Sequence, residues 1–166
     1  MGIESAEELV SKINELKEKE KIDLSSDEDL SLALMNLISI EEHLYFSGMK
    51  TEKKKYFELL NSVRELRKKL LKEIVREPEG ETWCISKHLL ASSMRLIEVG
   101  NKHLTKKEGE KAHQKFQDAF ELYTMFWSLN LKLIKNEELI EGPKDAKSWR
   151  DKFGSVIKKL IDCCKE

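Results

Sequence analysis

Cys84 and His88 lie four residues apart in a stretch of helical period, which sets a thiol and an imidazole on one helix face. The pair could supply two ligands to zinc or iron, or a thiol whose thiolate content a neighbouring imidazolium would raise. Two ligands do not complete a site, and the rest would have to come from residues such as Glu41, Glu42 or His113. The chain has no Cys-x-x-Cys and no His-Glu-x-x-His, and nothing presents itself as a third group to orient His88 as a base. The plainer reading is a structural pair in which Cys84 is a small buried hydrophobe.

Glu41 and Arg67 pose a different problem, because each projects from the apolar face of its helix, where an ionised group needs a partner or a shifted pKa. A helix hairpin turning at residues 49 to 50 places Glu41 level with residue 58, and Arg67 about 13 Å further along. On that register the two do not pair. Glu41 instead comes near Arg95, Glu98 and His113, with Arg95 or His113 as its expected partner. Two readings follow. Glu41, Arg67, Cys84, His88, Arg95 and His113 line a small polar ligand pocket between hairpins, or Glu41 belongs to a buried ion pair that fixes helix register.

The elements that must position these residues are all helical. Leu, Lys and Glu dominate, and two prolines and seven glycines leave little punctuation for strands. The predicted class is all-α. A short amphipathic helix opens at a Ser5-to-Glu8 capping box, and longer ones follow over about 27–47, 52–75, 82–104 and 108–132, with a sixth over 146–162. The second carries Leu30, Leu34, Leu37, Ile38, Leu44 and Tyr45 on its apolar face and ends at a Ser47-Gly48 turn. From Thr82 to Gly100 only Lys87, Arg95 and Glu98 are charged, so that helix is expected to be wrapped by others. Ile85, Leu89, Ser92, Leu96 and Val99 form one stripe on it, and Trp83, Leu90, Met94 and Ile97 a second. Phe116, Tyr123 and Trp127 belong to the core face of the next helix. Gly142-Pro143 is the clearest break in the chain, and beyond it Trp149, Phe153, Val156, Ile157 and Leu160 make a stripe that needs an apolar surface.

Short turns make the body two antiparallel helix hairpins with peripheral terminal helices, expected to form one domain over residues 1–166. A shift of 59 aligns Leu37, Ile38 and Ile40 with Leu96, Ile97 and Val99, and Phe57 with Phe116; a shift of 60 aligns His43-Leu44 with His103-Leu104. Within the second hairpin, Leu96, Val99 and Gly100, followed by Ala112, Phe116 and Ala119, resemble the spacing of a tetratricopeptide repeat. The resemblance covers residues 93 to 126. It implies two helices brought close by small residues. His103 and Thr124 depart from the Tyr and Pro of that pattern, and such repeats need neighbours to bury their faces, so convergent hairpin packing accounts for the same residues.

Thirty basic residues against thirty-one acidic give a net charge of −1, with no field to gather nucleic acid or an anionic membrane. Lys53, Lys54 and Lys55 are interleaved with Glu52 and Glu58, which reads as a solvated face. No Gly-rich phosphate loop is present, and no apolar run approaches the roughly 20 residues of a membrane span. The opening MGIESAEELV has no signal-peptide pattern, and three cysteines do not make a disulfide framework, so a cytoplasmic protein without a cofactor is expected. The reading is a small soluble interaction or adaptor module, binding a protein partner or a second copy through the C-terminal helix with Trp149, Phe153, Ile157 and Leu160. The alternative is a ligand- or metal-binding bundle, possibly an enzyme, around Glu41, Cys84, His88 and Arg95.

Overall fold

The computed structural model describes residues 24–133 apart from 77 and 79, together with the isolated positions Ser11, Asn14, Glu15 and Gly154. The described chain forms four helices: α1 Leu24–Thr51, α2 Lys55–Ile74, α3 Thr82–Thr105 and α4 Gly109–Asn130. α1 packs chiefly on α2 and α3 on α4, while α1 against α3 is the main contact between the two pairs. The all-α bundle of two antiparallel hairpins is therefore as the periodicity predicts. Apart from those isolated positions, the expected N-terminal helix after Ser5 and the expected helix over 146–162, with Trp149, Phe153, Ile157 and Leu160, lie outside the described residues.

α1 does not stop at Ser47-Gly48 but continues to Thr51, and the chain turns at Glu52, whose φ is 57°. Gly48 is glycine for packing, since a Cβ there would meet the Phe57 ring at 2.7 Å. The C-terminal ends of α3 and α4 also use left-handed residues that are not glycine. Lys107 has φ 60°, its N–H donates to Leu104 O at 2.9 Å, and the Glu108 N–H donates to His103 O at 3.0 Å. Lys132 at φ 54° closes α4 in the same way, with Leu133 N–H on Ser128 O at 2.9 Å. Each pattern satisfies carbonyls that the last helical turn leaves unpaired.

Small residues seven apart hold the second hairpin together. Ser86, Ser93 and Gly100 form a buried line on α3, between the two stripes read from the sequence, and Ala112 and Ala119 form its counterpart on α4. Ser93 Oγ donates to Ala119 O at 2.9 Å, Asn130 Nδ2 donates to Ser86 Oγ at 2.9 Å, and the Phe116 ring sits on Gly100. Residues this small let the helix axes approach closely, and the hydroxyls find partners across the seam, so their burial leaves little unpaired polarity. The packing proposed for the repeat-like spacing of Gly100, Ala112, Phe116 and Ala119 is thus present.

The apolar core occupies one end of the bundle. Leu34 and Met35 of α1, Leu71 and Ile74 of α2 with Val75 beyond it, Leu89 and Leu90 of α3, and Tyr123, Phe126, Trp127 and Leu129 of α4 make up most of it. Phe126 and Trp127 meet edge to face with ring centroids 5.3 Å apart, and Trp127 is 4% exposed, so its placement in the core follows the sequence expectation. Phe116 is only half-buried. At this end α1 also reaches α4: Ser31 Oγ and the Tyr123 hydroxyl lie 2.6 Å apart. The opposite end, made of the α1–α2 and α3–α4 turns, carries most of the exposed large apolar side chains, including Tyr45, Phe46, Met49, Phe57, Leu59, Val99 and Leu104.

Candidate functional site

The six candidate residues do not converge. Arg67 clamps Glu41: its Nε donates to Oε1 at 2.8 Å and its Nη2 to Oε2 at 3.1 Å, with the two side chains 5% and 16% exposed. This corrects the register expected from the sequence, in which Glu41 met Arg95 or His113. Moving a hairpin turn by one residue moves the level partner by two, so the extension of α1 to Thr51 brings Glu41 to within about half a turn of Arg67, a gap that the long arginine side chain spans. The fork-to-fork geometry satisfies both carboxylate oxygens within the first hairpin, the arrangement expected of a register-fixing pair.

Arg95 instead reaches Glu42, Nε to Oε2 at 3.0 Å, an ion pair about half exposed that links α3 to α1. Cys84 is a free, exposed thiol, which corrects its reading as a buried hydrophobe, and His88 is exposed beside it on the outer face of α3. His113 is exposed on α4 and pairs with Gln117 Nε2 at 2.8 Å. Glu110 and His113 are the chain's one Glu-x-x-His spacing, and both are exposed. Among the described residues no group of three His, Cys, Asp or Glu side chains is placed to hold a metal ion.

Two groups have shifted ionisation. Lys111 Nζ donates to Glu108 at 2.8 Å and His103 Nδ1 lies 2.6 Å from its other oxygen; the Lys111 bond first and the His103 bond second lower Glu108 from 4.5 to about 2. Burial pushes the Tyr123 phenol up, and the bond with Ser31 only partly opposes it. The Trp127 indole lies close enough for that phenol to feel it, yet its N–H makes no hydrogen bond, and the Thr124 hydroxyl is likewise buried without a partner.

The feature the sequence reading missed begins where the Glu42–Arg95 pair ends. On α1, Tyr45, Phe46 and Met49 follow Glu42 at i+3, i+4 and i+7, so they prolong the stripe that faces α3. They are 48%, 60% and 58% exposed. On α3, Glu98, Val99 and Lys102 follow Arg95 at the same intervals, with Val99 38% exposed. α1 and α3 run in the same direction, so both stripes continue toward the turns. The rings of Tyr45 and Phe46 meet edge to face at 5.2 Å. The available signal was the run Tyr45, Phe46 and Met49 itself: Tyr45, expected on the apolar face of the helix, is 48% exposed, and Phe46 and Met49 lie at and beyond the Ser47-Gly48 position where the sequence suggests that the helix ends.

Comparison with protein-family models finds no match, and neither do searches against curated proteins and against solved structures. No helix of the described chain is long and apolar enough to cross a membrane.

Proposed function

We propose that the protein is a helical interaction module that binds a protein partner at the turn end of its two hairpins. The observation that carries this reading is the exposure of Tyr45, Phe46 and Met49 on the stripe that, nearer the core, packs α1 against the second hairpin. About half of each side chain stays in contact with water, which is costly for a cluster of one aromatic, one phenolic and one thioether group on a single face. A partner that covers them recovers that area without disturbing the core at the other end. The C-terminal stripe Trp149, Phe153, Ile157 and Leu160 is a further proposed contact surface for a partner or a second copy, and a cytoplasmic setting belongs to the same proposal.

A ligand or metal site around Glu41, Cys84, His88 and Arg95 has less in its favour, since Arg67 and Glu42 already take up Glu41 and Arg95. The test is a photo-reactive phenylalanine at position 46, with one at Arg64 on the exposed side of α2 as control. The species joined at 46 is then produced separately and its binding measured to the parent and to F46E/M49E. Binding lost in F46E/M49E at unchanged helicity supports the reading. Equal joining at 46 and 64, or equal binding by both chains, overturns it.

A further inference from the structure

The two turns share one end of the bundle, and their charge is not that of the whole chain. Residues 50–58 carry Lys50, Lys53, Lys54 and Lys55 with Glu52 and Glu58; residues 102–111 carry Lys102, Lys106, Lys107 and Lys111 with Glu108 and Glu110. Eight lysines against four glutamates leave a surplus of four positive charges, in a chain whose net charge is −1. All eight lysines are exposed, and Glu108 is occupied by Lys111 and His103. The apolar residues Tyr45, Phe46, Met49 and Val99 thus have a surplus of cations beyond them at both turns, with Glu98 the half-buried carboxylate beside Val99.

From this juxtaposition we infer that the occupant of the stripe is an acidic amphipathic helix of a partner protein, its apolar side against Tyr45, Phe46 and Met49 and its flanking carboxylates toward the turn lysines. The inference rests on the stripe being a partner surface and adds the partner's chemistry. Three apolar positions at i+3, i+4 and i+7 from Glu42 match the spacing at which a helix presents its own anchors, as required for helix-on-helix docking. An anionic membrane would meet the turns first, and the turn residues themselves are polar: Thr51, Glu52, Lys53 and Lys54 at one, Thr105, Lys106, Lys107 and Glu108 at the other. The exposed apolar groups nearest them, Met49, Phe57 and Leu104, belong to the helices, whereas a tip that inserts into a bilayer leads with its apolar groups. The stripe lies along the helices instead, where a rod-shaped partner can cover it. Lysines around such a face raise the encounter rate with an acidic partner and select against a basic one.

The experiment uses the full chain and a fluorescent synthetic helix with leucines on one side and glutamates on the other, its twin with lysines for glutamates, and vesicles of phosphatidylserine in phosphatidylcholine. The acidic helix should bind at least about tenfold more tightly than its twin, and more weakly as salt rises. F46E/M49E should weaken it about tenfold, and K53E/K54E/K102E/K106E should abolish the preference between the twins. Both variants alter only exposed side chains, and circular dichroism checks that they keep the parent's helicity. Equal binding of the twins with loss of both in F46E/M49E overturns the acidic-helix inference and leaves the partner surface standing. Indifference of both helices to F46E/M49E overturns the two together. Absence of binding by either helix, vesicle binding without peptide binding, or a dimer of the chain that F46E/M49E dissociates also overturns the inference.

Discussion

Arg67 and Glu41 face each other across the first hairpin with two parallel hydrogen bonds of 2.8 and 3.1 Å, and together they set the register of α1 on α2. Because Arg67 is 5% exposed, removing its partner leaves a guanidinium buried without compensation. Glu41→Ala should lower the unfolding free energy at the lower end of about 3–5 kcal/mol, as measured by urea denaturation. The double replacement E41M/R67M should cost much less than E41A, since an apolar pair of similar volume removes both charges. A loss below about 0.5 kcal/mol in E41A would contradict the pairing.

The Phe116 ring packs directly on Gly100 in the second hairpin, where an added Cβ would lie 2.4 Å from it. In Gly100→Ala the helix gains about 1 kcal/mol of propensity and loses about 1–3 kcal/mol to overpacking, so a net destabilisation of about 1 kcal/mol is expected. In a Phe116→Leu background the same change should become stabilising. Thermal unfolding of the four chains gives the coupling directly, and additive effects would mean that ring and glycine do not touch.

Glu108 carries the clearest pH signature. Its carboxyl is held at about 2 in place of 4.5, so its folded-state pKa is depressed. The stabilisation it brings is present above the unfolded value and is lost as pH falls from 4.5 toward about 2. The carboxyl carbon resonance of Glu108 should titrate near pH 2 in the parent and move toward 4.5 in K111A/H103Q. A midpoint at 4.5 in the parent would contradict both bonds.

Lys107 stops α3 at φ 60°, a conformation that costs a residue with a Cβ about 1–2 kcal/mol and glycine almost nothing. After the entropy that glycine loses on folding, Lys107→Gly should stabilise by roughly 0.5 kcal/mol. Differential scanning calorimetry should show a higher Tm, whereas a lower one would mean that Lys107 contributes contacts the turn needs.

Those same turns explain which parts of the structure were legible in the sequence. Helix number and faces followed from apolar periodicity, and Ala112, Ala119 and Trp127 were placed correctly because their spacing admits one buried side. The ends of α3 and α4 fell within two residues of the expected bounds, but the end of α1 did not follow, because Glu52 makes a left-handed turn without glycine, whereas Gly48, which looks like a stop signal, lies under Phe57 inside α1. The displaced turn then carried Glu41 past its real partner. Ser86 and Ser93 look like solvated positions in a sequence, and only the second helix shows that their small size lets α4 approach. The exposed stripe was hidden for a further reason: periodicity tells which residues share a face, but not where along a helix its partner stops.

The methionines allow the central claim, that partner binding occurs at the turn end, to be read in one spectrum. Met49 lies on the exposed stripe at 58%, Met35 is 2% exposed in the core at the opposite end, and Met94 and Met125 are partly buried against that core. With methyl-13C methionine in the full chain, addition of the partner recovered through position 46 should shift or broaden the Met49 methyl resonance and leave Met35 in place. A spectrum in which Met35, Met94 or Met125 moves on binding while Met49 keeps its position would contradict the account.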